Sequence, residues 1–560
     1  MSARVLIVTD SLLSVKEPSV IAALRKQLRI HRSSTGAWLD LRLKLLTLER
    51  VLPAKLYGVW PTLRSSPHGA VVRALLDGDI NLGSPELTEV VLMTLLAAEG
   101  VSYDATTYAI LAADSSERER LLSACDVVFA SSTMLRGLPE VHAIAELLDR
   151  PSNKVVLGGA LAGVLHSSWP GVPGVDLLAV GYGEWLVPSL VAWIRSAFQE
   201  LDPPPRGRVV TRGETPILYS GVPEGKNLDD LARPDWSLAE KYHGRPFPMV
   251  HYESVRGCPY RCQFCNYPFL FDDTRFRYKS AERIADDWAH YAAHGAKIVN
   301  CLDSLFTVPR KRLMALCDLL IERQTDIEWI CYARADDLVK PGTVEHMRAA
   351  GCIQVQIGIE SGDQQVLDNM DKRCSVEANL EAMKRCADGG ISTMVSVIVG
   401  FPGETEHTVQ ATLDHLREGQ PDFYYCAPFS VQVDHIPVMQ EPSRSRFGLE
   451  ANPESSSIRY WRHATMNCSE VVGHVGRFNA EMMADGISAE ASLFYPAIPR
   501  YRRELHREAL LGWQRECVGS MSLVRGIFRG LGSWAQGRLG RDLVHALDRR
   551  TPPLLDDHAA

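Results

Sequence analysis

Twice along this chain, short apolar runs alternate with helical segments, and that alternation restricts the fold more than any other feature. Apolar runs without a polar face need cover on both sides, which a parallel sheet flanked by helices provides. The first series fills residues 1–200. It runs RVLIVTD (4–10), ELTEVVLMTLLAAEG (86–100), SYDATTYAIL, SSERERLLSAC, DVVFASST (126–133), KVVLGGA (154–160) and VDLLAVGYGE (175–184). This predicts an α/β fold with a Rossmann-like, doubly wound parallel sheet, interrupted by a partly helical insertion at about 15–85. LDPPPRGRVVTRGETP is rich in proline and glycine, so residues 201–245 read as a linker. The second series, MVHYESVRG, KIVNCLD, EWICYARAD, IQVQIGIES and STMVSVIVG, predicts a full or partial β/α barrel over 246–440. Residues 441–560 read as a mostly helical cap whose last dozen residues fray.

At 560 residues the chain is too long for one core. A net charge of −8 argues against a surface built for nucleic acid. No run approaches the roughly 18–20 apolar residues of a membrane span, and MSARVLIVTD reads as a first strand, not a secretion signal. The thirteen cysteines are scattered and form no disulfide framework. A cytoplasmic monomer without nucleic-acid or membrane partners is the expectation.

ESVRGCPYRCQFCNYP (253–268) sets Cys258, Cys262 and Cys265 in a C-x3-C-x2-C spacing. A closed zinc site takes four ligands, and no second cysteine pair completes one. An iron–sulfur cluster with one open iron accounts for three thiolates; zinc with a distant fourth ligand is the alternative.

This motif, at the end of a first barrel strand with Phe264 before its third cysteine, resembles that of the radical S-adenosylmethionine superfamily. The resemblance implies a [4Fe–4S] cluster whose open iron chelates S-adenosylmethionine, and reductive cleavage to a 5′-deoxyadenosyl radical. It continues in order over roughly 250–435. CLDSLFT places Asp303 and Ser304 at the methionine end of the cosubstrate. YARADDL offers Arg334 and Asp336. GCIQVQIGIESGDQQVLDNMDK turns Glu360 and Ser361 toward the ribose or methionyl portion, and SVIVGFPGET sets Ile398 and Gly400 under the adenine.

The first domain is similar to that of the cobalamin-binding class of this superfamily. By that resemblance Ser131, Ser132, Thr133, Gly158, Gly159 and Ala160, and the turn Gly181, Tyr182, Gly183 and Glu184, would line the corrin or its nucleotide tail. Read alone, these strand ends are equally tight turns. The D-x-H-x-x-G motif that puts a histidine on cobalt is absent from residues 1–200, where His31, His68, His142 and His166 lack its neighbours. Cobalamin without a histidine ligand is therefore implied, with Trp60, Arg64 and Arg73 as guesses for the lower face.

For the substrate pocket, Tyr424, Tyr425, Asp434 and His435 would end a late barrel strand. YWRHATMNCSEV adds His463 with Trp461, Thr465, Met466 and Asn467; ordinary helix packing is the alternative. RYRRELHRE reads as a solvated helix face. The resemblance implies a cobalamin-dependent methyltransferase that moves a methyl group through methylcobalamin to an unactivated carbon, or a phosphinate, of a small molecule or peptide in natural-product biosynthesis. An external donor of the flavodoxin or ferredoxin type, or a chemical reductant, would supply electrons. A cyclase, ring-rearranging enzyme or oxidoreductase with the same cofactors is one alternative, and a non-catalytic, metal-stabilised binding protein is another.

Overall fold

The computed structural model describes residues 4–12, 38–39, 41–43, 45–46, 66–77, 83–135, 137–431, 435–452, 460–520 and 522–548. Most of the insertion expected over 15–85 therefore lies outside the described residues, as do Trp60, Arg64 and Asp434.

The first sheet has seven strands, β1 (Arg4–Thr9), β2 (Ser102–Thr107), β3 (Val127–Ser131), β4 (Lys154–Gly158), β5 (Leu177–Val180), β6 (Arg208–Arg212) and β7 (Thr215–Tyr219), in the order 2-1-3-4-5-7-6. All neighbours are parallel except the β6–β7 hairpin. Side chains alternate between faces along a strand. In β1, Val5 and Ile7 accordingly enter one apolar cluster with helices Leu87–Ala98 and Gly183–Arg195. Leu6 and Val8 enter another with Tyr108, Leu121 and Ile144. Helices on both faces make the sheet doubly wound. Strand order reverses between β1 and β3, so the crevice for a ligand opens at their carboxyl ends.

The hairpin corrects part of the expected linker. β7 joins β5 and buries Ile217 and Leu218 completely. Every residue of β6 is exposed, so no burial pattern marks it, and the flanking prolines and glycines mask both strands.

The second sheet is parallel throughout: β8 (Met249–Tyr252), β11 (Ile298–Cys301), β12 (Glu328–Ala333), β13 (Cys352–Glu360), β14 (Ser392–Val399), β15 (Phe423–Pro428) and the short β18 (Ala489–Glu490), paired in that order. Strands β8 and β18 are its two open edges, so the barrel is partial. Two small antiparallel pairs lie beside it, β9 (Val255–Arg256) with β10 (Arg277–Tyr278) and β16 (Glu450–Ala451) with β17 (Trp461–Arg462). One apolar cluster runs from β1 through Trp236 and Phe247 into the barrel strands, joining the two sheets through a shared core.

The C-terminal region is mostly helical, with long helices over Cys468–Asp485, Arg503–Ser520 and Ser522–Asp548. RYRRELHRE is not a solvated face. Asp422, fully buried between the barrel and this region, accepts hydrogen bonds from Tyr501 Oη (2.7 Å), Arg503 (2.6 Å), Arg507 (3.0 Å) and, through its other oxygen, the Thr393 amide (3.0 Å). A buried carboxylate needs such partners, and these arginines meet that need. Among the described residues, no helix is long and apolar enough to cross a membrane.

Candidate active site

The cysteines lie on an excursion between β9 and β10, whose pairing closes the loop at its base. Gly257, at φ +74°, begins it where a Cβ would stand 2.1 Å from the Arg275 carbonyl, so only glycine permits this approach. Arg261 ties the loop's start to its end, donating to the Cys258 (2.6 Å), Tyr260 (2.9 Å) and Thr274 (2.6 Å) carbonyls. The Cys265 amide turns back onto the Cys262 carbonyl at 3.0 Å. All three thiols are half-buried and free. Burial pushes each of them up, Cys265 to about 12, so they ionise only against positive charge.

Three soft thiols on one loop are a donor set that suits an iron–sulfur cluster.

Around this loop the barrel strands deliver charge. Lys372 follows β13 and donates to Glu360 Oε1 at 2.6 Å, with its ammonium 5.9 Å from the Phe264 ring centre. Burial alone would lower the lysine, but Glu360 and Cys262 outweigh it and hold the ammonium above its ordinary value. Glu360 sits at φ +59°, rare for a residue with a side chain, where the β13–β14 register shifts. Gly358 makes room for the pair, since a Cβ there would lie 2.3 Å from Glu360 Oε1 and 3.0 Å from Lys372 Nζ. Sequence reading named Glu360 and missed Lys372; a basic residue closing the fourth-strand segment DNMDK was the available signal.

Other expected contacts are committed within the protein. Asp303 is fully buried and accepts the Ser254 amide (2.6 Å), the Ser254 hydroxyl and the Val255 amide (2.8 Å). It holds the chain entering the cysteine loop, and burial raises its carboxyl to about 6. Ser304 follows it, half-buried. Arg334 lies 3.9 Å over the Tyr260 ring and donates to Asp336 (2.8 Å) and the Lys372 and Arg373 carbonyls (2.9 and 2.8 Å). It clamps the cysteine loop to the segment carrying Lys372. Ser361 is buried against the Thr412 hydroxyl at 3.2 Å.

The β14 end is fixed from below and above. A Cβ on Gly400 (φ +93°) would stand 2.2 Å from Val471, and its amide donates to Glu404. Glu404 has no exposed surface, and burial lifts its carboxyl to about 8, which favours the protonated acid near neutral pH. His463 Nε2 meets the Gly400 carbonyl at 3.1 Å, while the Thr465 and Met466 amides point at Nδ1 (3.3 and 3.2 Å). Two donors on Nδ1 place the proton on Nε2. Burial lowers this imidazole to about 4, and Trp461 stacks on it at 5.2 Å. The structure thus corrects the expected pocket role: His463 is a neutral clip, and Asn467 caps helix Cys468–Asp485. Ile398 is half-buried beside Gly400.

Inside the barrel, Tyr332, Gln356, Gly358, Met394, Ser396, Tyr425 and Ser492 help line a cavity of about 420 Å3 with no charged side chain in its wall. Tyr332 and Tyr425 are 39% and 40% exposed although they face the barrel interior, which marks the space between them as open. Of the tyrosines read as pocket candidates, Tyr425 lies on this wall. Tyr424, one residue earlier, faces the other way, is fully buried near Phe478, and is not a wall residue. His435 lies half-buried with its ring 5.4 Å from Phe269.

At the edge of the first sheet, Ser131 and Ser132 are buried. The Ser132 hydroxyl donates to the Gly158 carbonyl (2.6 Å) and accepts the Ala162 amide (2.9 Å), tying β3 to β4. Thr133 and Gly159 are exposed, and Gly159 (φ +96°) would bring a Cβ within 2.7 Å of Thr133. Sequence reading missed the acids beneath. Glu86 accepts the Asp10 amide (2.7 Å), Glu140 the Leu12 amide (3.1 Å) and Glu89 the Thr9 hydroxyl (3.0 Å), so three carboxyl groups shape the exit from β1. Burial raises Glu86 to about 7. Gly181, Tyr182, Gly183 and Glu184 turn toward the barrel: Tyr182 Oη donates to Asp273 (2.9 Å), and Glu184 pairs with Arg256 (2.7 Å). Ala160 opens helix Ala160–Leu165 against the same side. His68 and His166 engage Glu516 (2.7 Å) and the Tyr219 hydroxyl (2.9 Å). Arg73 lies on helix Pro67–Asp77, whose Val72 and Leu75 pack with Leu510 and Trp513.

Residues 252–416 match the Radical SAM superfamily. The chain is 26% identical over 260 residues to an uncharacterized methyltransferase of Pyrococcus horikoshii, covering 45% of this chain and 54% of that protein. It is 28% identical over 266 residues to an anaerobic magnesium-protoporphyrin IX monomethyl ester cyclase of Rubrivivax gelatinosus, covering 45% and 46%. It thus spans about half the length of the curated relatives it matches. Its fold is shared with the radical S-adenosylmethionine methyltransferase TsrM from Kitasatospora setae, solved with cobalamin and a [4Fe–4S] cluster bound. The TM-score is 0.57 and the identity 16%, over 77% of this chain and 97% of that one.

Proposed function

We propose that this chain, which carries a radical SAM domain over residues 252–416, is a cobalamin-dependent radical S-adenosylmethionine methyltransferase. One observation carries the reading most directly. Three free, half-buried cysteines on a tied loop stand at the mouth of a parallel barrel, beside the largely buried Lys372–Glu360 pair and against the first sheet with its ligand-type strand order. When bound, the cluster and S-adenosylmethionine supply the 5′-deoxyadenosyl radical, and cobalamin supplies the methyl group.

The chain's own residues divide the remaining work. Cys258, Cys262 and Cys265 would hold the cluster and leave one iron for the cosubstrate. Lys372 offers an ammonium for the methionyl carboxylate and Glu360 an acceptor for an amine or ribose hydroxyl. The Gly400 turn, fixed by Glu404 and His463, gives the adenine a rigid backbone edge. Thr133 and Gly159 are the exposed edge of the first sheet available to cobalamin. The uncharged cavity wall suits a neutral, largely apolar part of a small molecule or peptide, oriented by the Tyr332, Tyr425 and Ser396 hydroxyls and the Gln356 amide. Enclosure between barrel, first sheet and helical cap keeps a reactive radical from water.

Methyl transfer forms S-adenosylhomocysteine together with 5′-deoxyadenosine. The test is anaerobic assay of the reconstituted protein with methylcobalamin, S-adenosylmethionine and a reductant, offered metabolites from its gene neighbourhood. Both products in step with a methylated metabolite support the proposal. The similarity to the Rubrivivax cyclase favours one second reading, a cyclisation or rearrangement with the same cofactors. Its signature is product without stoichiometric S-adenosylhomocysteine.

A further inference from the structure

We infer that the ion pair between Glu184 and Arg256 fixes the cysteine loop against the ligand edge of the first sheet. Both are then positioning residues for the reaction proposed above, on which this inference rests. Glu184 lies in the first turn of helix Gly183–Arg195, directly after β5. Arg256 ends β9, two residues before Cys258. The contact is a fork: Arg256 Nη2 and Nη1 donate to the two carboxylate oxygens at 2.7 and 3.0 Å, while Nε donates to Glu253 at 2.9 Å. The two side chains are only 9% and 10% exposed, so the pair is not one of the screened surface bridges that contribute little. Buried and bidentate, it is directional, and loss of one partner leaves a charge uncompensated.

Neighbouring contacts reinforce the same joint. The guanidinium lies 4.7 Å from the Tyr182 ring centre and 5.3 Å from that of Phe271. Tyr182 Oη donates to Asp273, which also accepts Arg277 Nε at 2.5 Å; Arg277 belongs to β10, the partner of β9. A Cβ on Gly181 would stand 2.1 Å from Ser220 Oγ, the oxygen that accepts the Tyr182 amide at 2.8 Å. Gly163 lets helix Ala160–Leu165 close on the Leu270 carbonyl, 2.1 Å from where its Cβ would be. Both ends of the cysteine loop are therefore held by strand-end turns of the first sheet. A movement at Glu184 reaches Cys258 through one ion pair and two residues of backbone.

The experiment compares wild type, Glu184→Gln and Arg256→Lys by hydrogen–deuterium exchange on the full chain, and by EPR of the reduced, reconstituted protein with and without S-adenosylmethionine. The glutamine keeps the size of the side chain and one acceptor oxygen but turns the second acceptor of the fork into a donor, and Arg256 retains Glu253, so the fold persists. The expected result for Glu184→Gln is exchange about tenfold faster in peptides spanning 256–277, equivalent to about 1.4 kcal/mol of lost pairing. β1 and β3 stay unchanged, iron content is retained, and the response of the EPR signal to S-adenosylmethionine is broadened. Arg256→Lys, which keeps the charge and loses the fork, is intermediate. Wild-type exchange and an unaltered EPR response in Glu184→Gln overturn the inference. So does faster exchange throughout the first sheet, which would make the pair plain support for the fold. If the proposed function itself fails, wild type forms no methylated product whether or not it takes up iron, whereas the exchange of residues 256–277 still decides whether the pair holds the loop.

Discussion

The carboxyl edges of the two parallel sheets obey one topological rule and use it differently. At the barrel mouth, thiols and a buried charge pair gather where a ligand can meet them, and neighbouring acids and glycines lock their backbone. At the edge of the first sheet, the polar groups mostly satisfy one another: Ser132 ties β3 to β4, Glu86 and Glu140 shape the exit from β1, and Glu184 reaches across to the other domain. The barrel edge is chemically specialised, whereas the first edge is shaped to present small residues and to brace its neighbour. A large cofactor gripped along its length needs shape more than reactive groups.

The comparison breaks most readily at the cysteines. Cys265→Ala is expected to reduce iron from about four per chain to a small residue and to abolish absorbance near 400 nm, as iron analysis and spectroscopy on anaerobically reconstituted protein would show. Full iron in that variant would remove the loop from the site. Next in size, Lys372→Ala is expected to raise the Kd for S-adenosylmethionine roughly a hundredfold, the loss of about 3 kcal/mol from a buried charge contact. Iron content should not change, and titration calorimetry distinguishes the two effects.

A pH series sharpens the comparison. Glu404 has a folded value of about 8, above its ordinary 4.5, so the folded chain binds the extra proton between those values. Its contribution to stability is fully present below about 4.5 and is lost as pH rises toward 8. His463, held near 4 by burial, works in the opposite sense below its ordinary value of 6.5. Between pH 6.5 and 8, wild type should lose denaturant stability as pH rises, and Glu404→Gln should flatten that slope; equal slopes would refute the neutral-acid assignment. The smallest contrast concerns the first edge. Ser132→Ala is expected to cost about 1–3 kcal/mol of stability, because it leaves the Ala162 amide and Gly158 carbonyl without their partner. Exposed Thr133→Ala should stay within about 0.5 kcal/mol while weakening cobalamin retention. Stability curves and cobalamin content after gel filtration read the two.

Legibility in the sequence followed the same divide. At the barrel mouth the sequence offered residue types at fixed spacing, and the cysteines, Glu360 and Gly400 all stand at the second sheet's carboxyl edge or on the loop beside it. Apolar alternation likewise revealed both sheets. What remained hidden depends on partners distant in sequence. Asp303 and His463 look like ligand contacts until Ser254 and the Gly400 carbonyl are seen to occupy them. Tyr424 and Tyr425 differ only in strand phase, which the chain reveals once neighbours are placed. The β6–β7 hairpin had too little alternation to show. The arginines of the C-terminal segment read as solvated because their counter-ion, Asp422, lies some eighty positions away.

The most direct test of the central claim is EPR of the anaerobically reconstituted and reduced protein, recorded before and after addition of S-adenosylmethionine. A cluster held by Cys258, Cys262 and Cys265 with one iron open should give a [4Fe–4S] signal whose g-values shift when the cosubstrate binds, and Lys372→Ala should require more cosubstrate for the same shift. A colourless zinc protein, or a cluster signal indifferent to S-adenosylmethionine at saturating concentration, would contradict it.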